Sequence, residues 1–224
     1  MATYDVEQLH RRILRILLAV DKTCKEHGLH YYIWAGTMIG AVRHKGFIPW
    51  DDDIDIAMPR PDYEQLIAHS CEWLPEPYQF VCAENDDSYP LPFGKVQDAS
   101  TTLIERLHLR YLGGIYIDVF PIDGAPANTL RRKLHFARYE YLKRVLYLLH
   151  RDPYKHGHGP RSWMPLLCRR AYSLKGVQAR IRRLLLRYGY EQSPLVADYD
   201  DGSRGAMPKR VLGTPTPYDF EGHR

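Results

Sequence analysis

Between residues 51 and 55 the chain reads Asp51-Asp52-Asp53-Ile54-Asp55, and Ile56-Ala57-Met58 follows. Alternate residues of a strand share a face, so a strand here turns Asp51, Asp53 and Asp55 one way and Ile54 and Ile56 the other, into a core. Carboxylates gathered in a partly buried place repel one another unless a cation neutralises them, and hard oxygen ligands of this kind suit Mg²⁺ or Mn²⁺. A calcium loop is excluded, because the sixth position from Asp51 is Ile56 rather than Gly and the twelfth is Asp62 rather than Glu.

About a dozen residues upstream stand Gly36-Thr37 and Gly40, with Arg43, His44 and Lys45 just beyond. Glycines at a helix start let backbone N–H groups close on an anion, and phosphate is the expected guest. Downstream, an apolar run from Gly114 to Phe120 sets Tyr116, Asp118 and Phe120 on one strand face and Ile115, Ile117 and Val119 on the other. Asp118 is an acid in an apolar strand, and a metal site short of a further carboxylate gives it a role. Lys95 reads either as a phosphate-binding cation or as a charge on a strand edge. His156-Gly157-His158 has no carboxylate or cysteine neighbour and reads as a loop.

The elements that must hold these residues follow from periodicity. Val6, Leu9, Ile13, Leu17, Val20 and Cys24 recur at helical spacing and Gly28 stands where a C-terminal cap belongs. A β-prone run at Tyr31 to Ala35, a turn at Gly36-Thr37 and a brief helix from Met38 to Val42 come next. Tyr63, Leu66, Ile67 and Trp73 mark a second helix after Pro59 to Pro61. Strands are expected at Tyr78 to Ala83, Phe93 to Val96 and Gly114 to Phe120, the last closed by Pro121 with Asp123 in a turn. Thr129 reads as the N-cap of a long helix through Leu130, Leu134, Ala137, Tyr141, Val145 and Leu148. Another helix runs through Leu167, Ala171, Leu174, Ile181, Leu185 and Tyr188, and little periodicity remains after Gly189.

These runs imply an α/β (α+β) chain of 224 residues with a helical C-terminal part. The expected division is a catalytic core at 1–125, a basic helical region packed on it at 126–190, and an irregular tail at 191–224. Cys24, Cys71, Cys82 and Cys168 form no CxxC pair, which argues against a zinc knuckle or a disulfide framework and fits a reducing compartment. No apolar run approaches a membrane span. From Arg131 to Arg187 the acids are Glu140 and Asp152 alone among many Lys and Arg. Such a surface is read either as a solvated helix face or as a patch that meets nucleic acid, anionic lipid or phosphorylated polymers, an anionic inner leaflet being one such dock. The surplus of 17 Tyr offers faces for a quaternary ammonium group, although no single Tyr is singled out.

The segment Trp34-Ala35-Gly36-Thr37-Met38-Ile39-Gly40-Ala41-Val42-Arg43-His44-Lys45-Gly46-Phe47-Ile48-Pro49-Trp50-Asp51-Asp52-Asp53-Ile54-Asp55 closely resembles the signature of LicD-type phosphotransferases, which are related to fukutin. The resemblance extends through Met58-Pro59-Arg60, Lys95-Val96 and Gly114 to Asp123. It implies a nucleotidyltransferase-like fold, a small mixed sheet flanked by helices. It further implies transfer of a phosphoalcohol, above all phosphocholine from CDP-choline, to sugars of teichoic acid or lipopolysaccharide. Carried over to this chain, Gly36 and Thr37 would hold the donor phosphates, helped by Gly40, Arg43, Lys45, Asp51 and Lys95. Asp53, Asp55 and Asp118 would ligate Mg²⁺, and Asp118 would serve as base. The expected partners are a CDP-alcohol donor and a glycan acceptor, lipid-linked in some settings, with no nucleic acid; the expected setting is the cytoplasm, at the inner membrane face. Members of the family run on beyond the end of this chain, so a truncated tail is also expected. A metal-dependent nucleotide-sugar glycosyltransferase using Asp53-Ile54-Asp55, and an inactive nucleotide-binding fragment, are the alternatives.

Overall fold

The computed structural model describes residues 6–104, 111–155 and 157–224. The chain runs α1 (Val6–His27), β1 (Tyr32–Ile33), α2 (Ala35–His44), β2 (Asp55–Pro59), α3 (Arg60–Trp73), β3 (Tyr78–Val81), β4 (Gly94–Leu103) and β5 (Gly113–Ala125). It continues through α4 (Thr129–His150), α5 (Pro160–Ala171), α6 (Leu174–Leu185), β6 (Leu195–Asp198) and β7 (Met207–Pro208). This is the mixed α/β architecture that the sequence implies.

The sheet is ordered β1-β2-β5-β4-β3, with β6 on the far end of β5 and β7 beside β6. β2 and β5 are parallel, and the other described pairings are antiparallel. Ile54, Ile56, Met58, Val96, Ile117 and Val119 all point to one side. There they pack against Ile13, Ile16, Leu17 and Val20 of α1 and Tyr63 and Leu66 of α3. The opposite side of β2, β5 and β4 carries Asp55, Asp118 and Lys95.

α1 forms where its apolar spacing requires, and its end is sealed by Gly28 at φ +69° with Leu29 N donating to Cys24 O at 2.9 Å. α2 begins at Ala35, so Gly36 and Thr37 lie inside its first turn rather than in a turn ahead of it. Asp51 to Ile54 are not strand, because β2 begins only at Asp55; the burial alternation of Asp53, Ile54, Asp55 and Ile56 nevertheless holds.

β5 continues through Pro121, and Asp123 is a strand residue rather than a turn residue. The reason is a gap in the neighbouring edge: β4 leaves β5 at Val119 and β6 joins at Ile122. Asp118 N donates toward β2, to Ile54 O, so by alternation the missing N–H of Pro121 falls on the side where no strand is paired. Asp123 is buried, and its carboxylate takes Nε and Nη2 of Arg60 at 2.7 and 2.5 Å.

The basic half also departs from expectation. Asn128, not Thr129, caps α4, its side chain accepting from Arg131 N at 3.0 Å. The last helix is two, α5 and α6, separated at Tyr172-Ser173. The buried side of α4 includes Phe136, Tyr139, Val145 and Leu146, which pack with Val177, Ile181 and Leu185 of α6 and with Tyr199, and His135, which meets the Tyr199 ring edge-on. The residues read as irregular after Gly189 supply β6, which pairs with β5 from Leu195↔Ala125 to Asp198↔Ile122. They also supply Phe220, which packs edge-on to Phe47 at 5.1 Å. Among the described residues no helix is long and apolar enough to cross a membrane. Of the His156-Gly157-His158 loop, His156 lies outside the described residues.

Candidate active site

Three pieces of backbone bring the acids together. Thr37 is buried in α2 and its hydroxyl oxygen accepts from Asp55 N at 2.8 Å, fixing the start of β2 to the start of α2. Trp34 N donates to Asp55 O at 2.9 Å. In the parallel ladder, Asp55 and Asp118 are Cα partners, and on the other side of β5 Asp118 partners Lys95. Asp55, Asp118 and Lys95 thus form one row across three strands.

The loop ahead of β2 adds the rest. The carboxylates of Asp51, Asp52 and Asp53 offer oxygens within 4.8 Å of one another. A methyl group at Gly36 would stand 2.9 Å from Asp51 Oδ2, so the first turn of α2 adjoins this loop. That helix start has no side-chain cap and no acid of its own, and Ala35 adopts φ +42°, an unusual backbone for a non-glycine residue. The loop is braced from behind. His10 Nε2 lies 2.6 Å from Asp51 O while its ring stacks on Phe47 at 3.9 Å. Phe47 N donates to Glu221 Oε1 at 3.0 Å.

The electrostatics are those of crowded anions. Burial, then the charge of Asp51 and a hydrogen bond with it, push Asp53 up to about 6, with Asp118 and Asp52 adding to the rise. Burial, then Asp53, Asp118 and Asp51, push Asp55 up to about 7, against the opposing pull of Lys95. Lys95 is buried at the centre of the sheet, not on an edge. Its Nζ lies 3.0 Å from Asp118 Oδ1 and 3.1 Å from the centre of the Tyr116 ring.

A cleft of about 430 Å³, counting its open mouth, continues down the same face past Lys95. Tyr89, Tyr111, Tyr116 and Gln97 line it. Tyr89 is fully buried, and its hydroxyl has no partner among the described residues. Sequence reasoning had no signal for Tyr89, Tyr111 and Gln97, because nothing local in their neighbourhoods marks them. Gln97 follows only once Gln97↔Tyr116 and Lys95↔Asp118 are known to be ladder partners.

The structure therefore brings together Gly36, Thr37, Asp51, Asp53, Asp55, Asp118 and Lys95. Gly40, Arg43 and Lys45 are elsewhere. A methyl group on Gly40 would meet Gly46 O at 2.5 Å, so this glycine serves the packing of α2 against the next segment. Arg43 and Lys45 are exposed at the far end of α2, roughly 12 Å along the axis from Gly36 at 1.5 Å per residue.

Residues 28–151, which hold all of these positions, match the domain family described as LicD/FKTN/FKRP, nucleotidyltransferase domain. The chain belongs to this LicD family. The lipopolysaccharide cholinephosphotransferase LicD of Haemophilus influenzae is 34% identical over 114 residues, 50% of this chain and 42% of that protein. The ribitol-5-phosphate transferase FKTN of Mus musculus is 28% identical over 91 residues, 41% of this chain and 20% of its own. An uncharacterized protein of Rickettsia typhi is 49% identical over 45 residues, 19% of this chain and 15% of that one. The chain spans less than half the length of these curated relatives. Both named LicD-family relatives transfer a phosphoalcohol, and the residues of this chain can be weighed against that chemistry.

The donor set fits a hard divalent cation. Asp53 and Asp55 carry raised pKa values through burial first and then through the neighbouring carboxylates that face them, and bound positive charge relieves that repulsion. Carboxylate oxygens are the ligands that Mg²⁺ and Mn²⁺ select.

Proposed function

We propose that this chain transfers a phosphoalcohol group, phosphocholine from CDP-choline in the first instance, to a sugar hydroxyl of a cell-surface glycopolymer of the lipopolysaccharide or teichoic acid kind. The observation that carries the reading is the row Asp55, Asp118 and Lys95 facing the first turn of α2 across the Asp51 to Asp53 loop.

In this reading Asp53 and Asp55 hold Mg²⁺, with Asp118 on the adjacent strand completing the set. When bound, the cation neutralises charge on the donor diphosphate and on the developing leaving group. The open N–H groups of Gly36 and Thr37 receive the phosphates at the positive end of α2. Lys95 holds Asp118 in place, and Asp118 accepts the proton of the acceptor hydroxyl. The acceptor oxygen bonds to the phosphorus that bears the alcohol, the bond from that phosphorus to the CMP oxygen breaks, and CMP leaves. The tyrosine-walled cleft beyond Lys95 takes the alcohol end of the donor, where aromatic faces favour a quaternary ammonium group. The free thiols of Cys24, Cys71, Cys82 and Cys168 accord with a cytoplasmic setting.

Incubation with CDP-choline, MgCl₂ and a lipopolysaccharide acceptor is expected to release CMP, and Asp53→Ala to lower that release at least roughly 100-fold, since a metal ligand supplies several kcal/mol. Release of a nucleoside diphosphate from a nucleotide sugar instead would make the chain a glycosyltransferase. Thermal stabilisation by CDP-choline with no CMP formed would make it a binding fragment.

A further inference from the structure

Two helices of the basic half turn their apolar stripes outward. On α4, Leu130, Leu134 and Tyr141 share a face at helical spacing and are exposed, while His135, Phe136 and Tyr139 are inside. On α5 the buried positions are Ser162 and Pro165, whereas Trp163, Met164 and Leu167 are 63%, 61% and 61% exposed. A helix on a globular domain ordinarily does the reverse. The two outward faces adjoin where Tyr141 Oη and Tyr172 Oη, just past α5, stand 2.5 Å apart.

Charge decides what such a face meets. Residues Arg131 to Arg187 hold sixteen Lys and Arg against Glu140 and Asp152; Lys143, Lys175 and Arg182 are paired with Asp200, Asp87, Glu64 and Glu84 from elsewhere in the chain, while Arg161 and Arg170 are exposed on α5 itself. Two copies of the chain brought together through this half would repel each other. A layer of lipid phosphates is complementary to it, and aromatic and aliphatic side chains flanked by arginine are the composition of helices that lie in a bilayer interface.

We infer that the outer face of α4 and α5 docks on an anionic lipid bilayer, with Trp163, Met164 and Leu167 entering the headgroup boundary and the arginines meeting lipid phosphates. The contact lies in the plane of the membrane, because no described helix can span it. Bound in this way, the enzyme would meet acceptors carried on that surface.

Co-sedimentation tests it, using vesicles of phosphatidylcholine alone and of phosphatidylcholine mixed with phosphatidylglycerol. The chain is expected to pellet with the mixed vesicles, hardly at all with the neutral ones, and less as salt rises. Trp163→Glu with Leu167→Glu should weaken vesicle binding by roughly tenfold or more, and Arg161→Gln with Arg170→Gln by about fivefold per charge removed. All four positions are exposed, so unchanged thermal melting is expected of each variant; should the glutamate pair fail to fold, the arginine pair gives the same readout. No binding to the mixed vesicles at low salt overturns the inference. So does binding that neither pair alters, or a dimer in sedimentation velocity that the glutamate pair abolishes.

Discussion

Asp55 and Asp118 face each other as Cα partners across the parallel ladder between β2 and β5. Parallel neighbours about 4.8 Å apart turn side chains of the same parity to the same face, so the ladder itself forces two carboxylates together. Lys95 on the next strand offsets part of that repulsion. The remainder is what a divalent cation would satisfy, and this sets the first prediction.

Asp53 titrates at about 6 and Asp55 at about 7 in the folded chain, against about 4 for an unfolded carboxylate. Between about pH 4 and pH 7 the folded state therefore binds more protons than the unfolded one, and stability falls as pH rises through that window. Asp198, pushed up to about 8 chiefly by burial, contributes with the same sign and extends it. Without divalent ions the melting temperature should fall from about pH 5 to about pH 8. MgCl₂ should restore it at the higher pH and do little at the lower, where the carboxylates are protonated. Asp55→Asn should flatten the slope and abolish the magnesium response. Melting curves with and without MgCl₂ check this, and a magnesium effect equal at both pH values would count against a carboxylate site.

Lys95→Met should shift the pH–rate profile for CMP release toward higher pH, because Lys95 is the cation that holds Asp55 down. It should also destabilise the fold by about 3 kcal/mol in urea denaturation, the scale for removing one partner of a buried ion pair. The loss should be larger at alkaline pH, where Asp118 and Asp55 are fully ionised. An unshifted profile would mean that Lys95 does not set the charge of the reacting groups.

The two glycines of the motif should separate cleanly. At Gly36 a methyl group meets only the end of the Asp51 side chain, at 2.9 Å, which can swing away. Gly36→Ala should leave the folding free energy within about 1 kcal/mol of wild type while raising KM for the donor. At Gly40 the neighbours are backbone, Gly46 O at 2.5 Å and Ile48 N at 3.1 Å. Gly40→Ala should lose about 1–3 kcal/mol by overpacking. Donor KM and urea midpoints for both variants decide the matter; equal stability losses would reject the distinction.

Asp123→Asn should inactivate by unfolding rather than by altered chemistry. It removes a charge from the buried bidentate pair with Arg60, at an expected loss of about 3–5 kcal/mol. Circular dichroism should show the transition moved to lower urea. Full stability with lost CMP release would instead place Asp123 in the reaction.

Much of the site was legible because its signals are local. Asp53-Ile54-Asp55-Ile56 alternates, Gly36 and Thr37 begin a helix, and Asp118 interrupts an apolar strand; periodicity of two or of 3.6 fixes which of these side chains share a face. The helical spacing of α1 and the glycine at its end are equally self-contained. Local rules also account for the errors. Pro121 and Asp123 read as a strand end because proline lacks an N–H, and only the handover from β4 to β6 shows that none was needed. The stripe of Leu130, Leu134 and Tyr141 marks a helix, but apolar spacing announces a face without saying what covers it, and here the face is exposed.

By itself, then, the sequence determined that acids, a glycine-bearing helix start and an apolar strand with one aspartate are present, since each is specified by neighbours within a few residues. Tertiary structure alone decided that Asp55, Asp118 and Lys95 stand in one row, that Phe47 rests on Glu221 from the end of the chain, and that three tyrosines wall a cleft beside them. Strand order and register are long-range choices, set by which faces of distant segments can be buried together. No local period encodes them.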